Sequence, residues 1–443
     1  MTWRPKGLWW LSPAGAVLLV VPVTLWLATQ ADDAQYRARW RVPKALTNAT
    51  AELFIAAVLV FSLAAMWQLS HSEDGPYQPA DRWPHLRPSQ IDVFERSLRP
   101  LYWLTVGGYA AMFASAVNHG LTLQRLRAAL IDQNNYTRSV KKLFVTVPGI
   151  TTLTQVGIAF IIVAAIVYGY RPTRALRRRM IIIIVLAVLR TFLLTERLAV
   201  LELIVPAVTL MAMRRRSHPR RRVRQLVQIA PLLFIPALIA GFGVAEYSRS
   251  WVYFSNQPNQ DSFAEFTVSR ISGYYATAYN NGQLYLTYGR YPNRIPYLSF
   301  EALWTAPLVA QLGVYEKLNH RSDADYEEII LETHGSSEFN SPGGLAIPFV
   351  DFGTAGGFVF FVIAGSATGW LYRRFSRGDV LAVLLYPMVV IGLFEIPRYL
   401  YWTTGRVVPA ALAVLAVTYF VHKDARPGYR DEVADRRAVV GQS

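Results

Sequence analysis

Uncharged apolar stretches recur along this chain at the length of a bilayer crossing. Residues 8–28 form 21 consecutive positions without a charge, and at about 1.5 Å per helical residue that spans a hydrocarbon core of roughly 30 Å. The run is too long, and too poor in a small-residue cleavage site, for a removed signal peptide. Comparable runs occupy residues 53–69, 101–117, 147–170, 226–245, 343–371, 380–394 and 407–421. Residues 180–213 are 34 in number, and their flanks decide how they are read. Arg171, Arg174, Arg177, Arg178 and Arg179 precede them, while Arg214, Arg215, Arg216, Arg220, Arg221, Arg222 and Arg224 follow. Short basic loops face the cytoplasm, so both flanks belong on one side and an even number of crossings separates them. The stretch therefore reads as two short helices meeting at Thr195, Glu196 and Arg197, which brings the total to ten.

With those loops inside, both termini lie in the cytoplasm. Arg4, Lys6, Lys423, Arg426, Arg430, Arg436 and Arg437 agree, as does the loop carrying Arg373, Arg374 and Arg377. The first two external loops run against the rule, carrying Arg37, Arg39, Arg41 and Lys44, then Arg125, Arg127, Arg138, Lys141 and Lys142. The expected fold is an all-α polytopic membrane protein with about ten transmembrane helices and a large external helical loop before the eighth. Its divisions are 1–245 (seven spans), 246–342 (external loop), 343–421 (three spans) and 422–443 (cytoplasmic tail).

Composition fits this picture. Hydrophobic residues make up 53% of the 443 and charged ones 17%, against roughly 25% charged in soluble proteins. The excess of 45 basic over 29 acidic residues gives +16, yet the basic residues sit at the ends of apolar runs, where they orient helices and imply no nucleic-acid partner. The chain has no cysteine, which excludes disulfides and thiolate chemistry. The HExxH metal pattern and the GxxxxGK phosphate loop are also missing, so no metal or cofactor is expected and ATP-driven transport is disfavoured.

Soluble chemistry would belong to the 97 residues of the external loop. Between Tyr247 and Phe300 it holds 14 aromatics in 54 residues, 26% against 13% for the whole chain. Such rings suit a membrane interface, and they also make platforms for sugars. From Arg270 the sequence reads as a helix lying on the membrane, with Arg270, Tyr274, Thr277 or Ala278 and Asn281 along one face. Tyr274, Tyr275 and Asn281 are its candidate sugar contacts.

An ionisable side chain within a bilayer costs roughly 2.5 to 3.5 kcal/mol on insertion scales. Arg190, Glu196, Arg197, Asp351, Glu395, Arg398 and Arg406 nevertheless lie at the external halves of their helices. Taken singly, each suits a structural ion pair or a snorkelling head group. Taken together with Arg270 and Arg290, the arginines suit a diphosphate, because a guanidinium fork binds phosphate oxygens bidentately and keeps its charge. For acid or base work the candidates are His334, Glu338 and Asp351. The Gly- and Pro-rich run around them points to an irregular helix entry, which membranes tolerate where backbone lines a cavity.

Four segments resemble the Wzy-type oligosaccharide repeat unit (O-antigen) polymerases of bacterial envelopes. They are LRTFLLTERLAVLELIVP (189–206), SRISGYYATAYNNG (269–282), EFNSPGGLAIPFVDFGTAGGFVFFVIAG (338–365) and EIPRYLYWTTGRVVP (395–409). The resemblance implies a GT-C-like glycosyltransferase in the bacterial cytoplasmic membrane. Such an enzyme joins polyprenyl-diphosphate-linked oligosaccharides on the outer face, and Arg197, Arg270, Arg290, Arg398 and Arg406 would hold the diphosphates. Its partners would be the lipid-linked donor and acceptor, membrane lipids, a flippase and a chain-length regulator. An O-antigen-type ligase shares this chemistry. A polyprenyl-phosphate-sugar transferase would instead use Asp32 or Asp33 as base, and a lipid-linked sugar flippase is the non-enzymatic alternative.

Overall fold

The computed structural model describes residues 8–70, 83–84, 86–131, 141–145, 147, 149–194, 196, 198–216, 218–247, 251, 255, 262–289, 295–319, 323–335 and 339–424. The described residues are helical or irregular, with no strand among them. The principal helices are α1 (Pro13–Gln30), α2 (Asn48–Ser70), α3 (Pro88–Asn118), α4 (Val156–Tyr170), α5 (Arg174–Leu194) and α6 (Leu198–Arg216). They continue with α7 (Ala230–Glu246), α8 (Phe263–Tyr288), α9 (Ile347–Ser376), α10 (Val380–Glu395) and α11 (Val408–Asp424). Among the described residues, five stretches, Pro13–Gln30, Asn48–Ser70, Thr151–Tyr170, Ile347–Ser376 and Gly405–Lys423, are long and apolar enough to cross a membrane. The chain is thus of the multi-pass membrane class. The expected break in 180–213 is present, since α5 ends at Leu194 and α6 begins at Leu198.

Two helical groups meet along α10. In one, α2 runs against α9, and α1 packs on α2, α8 and α10. In the other, α4 is wrapped by α3, α5, α6 and α11. Every residue of α4 from Val156 to Val167 except Ala165 is buried, as expected of a helix apolar on all sides.

The α2–α9 contact is set by a stripe of small residues. Gly365 and Gly369 stand four positions apart on α9, in one buried row with Gly357 and the larger Phe361, so they share one helix face. A Cβ on Gly365 would fall on the Phe61 carbonyl oxygen, and one on Gly369 would lie 2.6 Å from that of Ala65. Membrane helices associate through such small-residue faces because packing replaces the hydrophobic effect between them.

Helix α8 differs from the expectation of a surface helix. It belongs to the external loop by sequence, yet Arg270, Gly273, Ala276 to Gly282, Leu284 and Tyr285 are buried. Ser262 and Glu265 close a capping box at its start, which satisfies two of the orphan amide groups. Its burial follows from its partners: the hydroxyls of Tyr279 and Thr24 of α1 lie 2.9 Å apart. Asn280 Oδ1 accepts from the amides of Ala45 and Leu46, at 2.6 and 3.1 Å. Two adjacent asparagines thus hold the chain entering α2 and, as described below, the chain entering α9.

Candidate polar site around residues 395–406

The face of α8 grouped by periodicity does come together, against a buried irregular segment. Phe339, Ser341, Leu345 and Ala346 are buried without being helical, apart from the turn at the end. Backbone of this kind must find its hydrogen bonds inside the protein. Asn281 Nδ2 donates to the carbonyls of Phe339 (2.7 Å) and Ser341 (2.9 Å), and the Gly343 amide donates to the Arg398 carbonyl at 3.0 Å. Gly343 has φ 78°, and a Cβ there would lie 2.5 Å from the Ala278 carbonyl oxygen, so only glycine passes this point without strain.

Two arginines from distant parts of the chain flank this segment. The Arg270 guanidinium lies 5.1 Å from the Phe339 ring centroid, and that of Arg398 lies 5.2 Å from the Tyr274 ring centroid. The Tyr274 and Phe339 rings meet edge to face at 5.1 Å, so the aromatic pair sits between the two cations. Such faces attract guanidinium groups. Each cation also has an acid. Arg270 Nε donates to Glu246 at 3.2 Å, and an Arg398 terminal nitrogen donates to Glu395 at 3.1 Å. Arg398 further contacts Ser341 Oγ at 3.4 Å and the Tyr399 hydroxyl at 3.1 Å. Its Nε is buried with no hydrogen-bond partner among the described residues. Tyr275 lies close to Glu395 and Arg398 as well.

A second group gathers around Glu196 and Glu202. Arg190 pairs with Glu196 at 2.6 Å and donates to Thr154 Oγ1 at 2.8 Å. Arg406 bridges the two acids, 3.6 Å from Glu196 and 3.1 and 3.2 Å from the two oxygens of Glu202. The Tyr401 hydroxyl donates to Glu202 at 3.0 Å. Glu202 is 1% exposed; a carboxylate at that depth costs several kcal/mol unless paired, and here both oxygens are engaged. Residues 395–406 link the groups, since Glu395 and Arg398 belong to the first and Tyr401 and Arg406 to the second.

The remaining candidates fall elsewhere. Asp351 is buried, and its two oxygens accept the Tyr297 and Ser299 amides at 3.2 and 2.6 Å, which makes it an anchor for the loop. The His334 ring stacks on Tyr288, with centroids 4.0 Å apart and planes at 4°. Asn281, expected to touch sugar, is 1% exposed and spends its amide hydrogens on backbone. Asp32 caps the short helix Asp33–Trp40, and Asp33 accepts the Lys44 amide at 2.9 Å. Arg197, Arg290 and Glu338 lie outside the described residues.

Sequence reasoning passed over Glu202, Glu246, Tyr401 and Ser341. The first two were accessible to it: each is a lone carboxylate in or at the end of an apolar helix, where an ion of that sign calls for a cation. No family model, curated protein or solved structure matches the chain.

Proposed function

We propose that the chain is a polymerase of the ten-span, GT-C-like kind. It joins polyprenyl-diphosphate-linked oligosaccharides on the outer face of the bacterial cytoplasmic membrane. One observation carries the reading: Arg398 is held on three sides by Glu395, Ser341 and Tyr399 while its buried Nε has no acceptor among the described residues. A fixed cationic donor of this kind is preorganised for an oxyanion, and preorganisation is what makes such donors effective in catalysis. In the transfer, an acceptor hydroxyl oxygen bonds to the anomeric carbon of the donor. The bond from that carbon to the diphosphate breaks, and polyprenyl diphosphate leaves with the electron pair. Arg398 meets the charge growing on the leaving oxygens, and Arg270 across the aromatic pair adds positive potential. Each charge-assisted hydrogen bond contributes about 1.5 to 3 kcal/mol, which corresponds to one or two powers of ten in rate.

The test is elongation by purified protein in vesicles supplied with a polyprenyl-diphosphate oligosaccharide. The wild type is expected to yield a ladder of lengthening lipid-linked products. Arg398→Ala is expected to slow it by about 10- to 100-fold. Arg398→Lys should recover little, because a lysine has no planar fork and no Nε–H at that position. An unchanged length distribution and rate in both variants would remove Arg398 from the site. Leaflet exchange without elongation would make the chain a transporter, and transfer to a non-repeat acceptor would make it a ligase.

A further inference from the structure

The acceptor hydroxyl needs a base, and the two carboxylates of the second group differ from a third, Glu301, that stands beside Arg406. Glu196 and Glu202 are both within 4.0 Å of arginine nitrogens. Glu301 opens the short helix Glu301–Trp304 and makes no such ion pair among the described residues. It faces the Gly405 amide and stands near Arg406. The chain around it is fixed from several sides. Asp351 holds the amides of Tyr297 and Ser299, Thr403 Oγ1 donates to the Leu298 carbonyl at 3.0 Å, and Thr305 Oγ1 donates to the Glu301 carbonyl at 2.7 Å. A Cβ on Gly405 would lie 2.9 Å from Thr305 Oγ1, so the two segments approach closely. Asp351, a sequence candidate for the base, thus positions the loop that carries a different carboxylate.

We propose that Glu301 takes the proton of the acceptor hydroxyl, a role that rests on the transferase reading above. As the oxygen–carbon bond forms and the diphosphate departs, the hydroxyl proton passes to the Glu301 carboxylate and from there to water. A base must offer a lone pair that no cation has already claimed, and it works best with a proton affinity nearer neutrality than that of an exposed carboxylate. Burial raises the Glu301 carboxyl pKa, and the Gly405 amide and Arg406 partly oppose the rise. Arg406 is the charged group on the turn Gly405–Val407 packed against this helix; the neighbouring turns Leu298–Phe300 and Pro307–Gln311 carry none. Since the basic form is the ionised one, elongation should fall as pH drops through the raised pKa.

The elongation assay above, run across pH, tests this with Glu301→Gln and Glu301→Asp. Glu301→Gln is expected to lower elongation by about 100- to 10,000-fold, to lose the acid limb, and to retain binding of polyprenyl diphosphate. Glu301→Asp is expected to keep partial activity with a displaced acid limb, and it decides the matter if the glutamine variant fails to fold. A wild type that elongates alongside an equally active Glu301→Gln, or an acid limb unmoved in Glu301→Asp, overturns the assignment alone. A wild type with no elongation at any pH defeats the transfer reading, and the assignment falls with it.

Discussion

The α2–α9 contact and the 395–406 segment solve the problem of burial in opposite ways. Between Gly357 and Gly369 no ionisable side chain enters the helix pair, and small residues let backbone approach backbone. Around residues 395–406 the backbone leaves the helix, three short turns replace it, and four arginines are buried or half-buried beside four glutamates. One region is held by shape and the other by charge balance. The difference predicts where each is fragile: the first should respond to added volume, the second to a removed partner.

Removing a partner gives the largest expected effect. Glu202→Ala leaves Arg406 without its bidentate acid and Tyr401 without its acceptor, and breaking a buried pair in this way costs about 3 to 5 kcal/mol. Chemical unfolding in detergent would measure it. Glu202→Gln sharpens the comparison, because it keeps volume and hydrogen bonding while dropping the charge. If charge balance holds this region, the glutamine variant should lose more than half as much as the alanine. A glutamine variant as stable as wild type would mean that shape governs here too.

Added volume gives the next largest effect. In Gly369→Leu the new side chain meets the Ala65 backbone, whose oxygen would lie 2.6 Å from its Cβ. Overpacking of a tight contact costs about 1 to 3 kcal/mol. The same unfolding measurement should show this loss, while elongation per folded molecule stays near wild type because no group of the polar site is touched. A leucine variant of undiminished stability would show that α2 and α9 can separate freely.

These two regions were not equally legible in the sequence. Each apolar run carries a helix, and the break between Leu194 and Leu198 follows from the matched arginines on either side. The grouping of Arg270, Tyr274 and Asn281 on one face of α8 is present, as is the Glu395–Arg398 pair across Pro397. What periodicity could not supply was the surface each face meets. An exposed amphipathic helix and a buried one with polar clamps share the same spacing, so α8 read as interfacial when it lies in the core. The partners of the acids were hidden for a related reason. Glu202 and Arg406 stand 204 positions apart, and local pattern carries no information about pairing at that distance. The turns after Arg398 give no periodic signal at all, and Glu301 became visible only through the loop that Asp351 holds.

The smallest expected effect separates the proposed chemistry from the transferase that would use an acid of the first external loop. Asp33 is an exposed group: its pair with Arg37 is 3.7 Å long, with both side chains more than half accessible. Exposed pairs of this type contribute about 0 to 1 kcal/mol and are screened by salt. Asp33→Asn keeps an oxygen for the Lys44 amide, so stability should change by less than about 0.5 kcal/mol. Elongation should be unaltered, since the proposed base is Glu301 and Asp33 is an exposed group whose oxygens serve the Lys44 amide and Arg37. An Asp33→Asn variant that folds normally yet fails to extend the lipid-linked chain would move the base to the first loop. The buried arginines and their acids would then be left the structural role that their pairing alone would support.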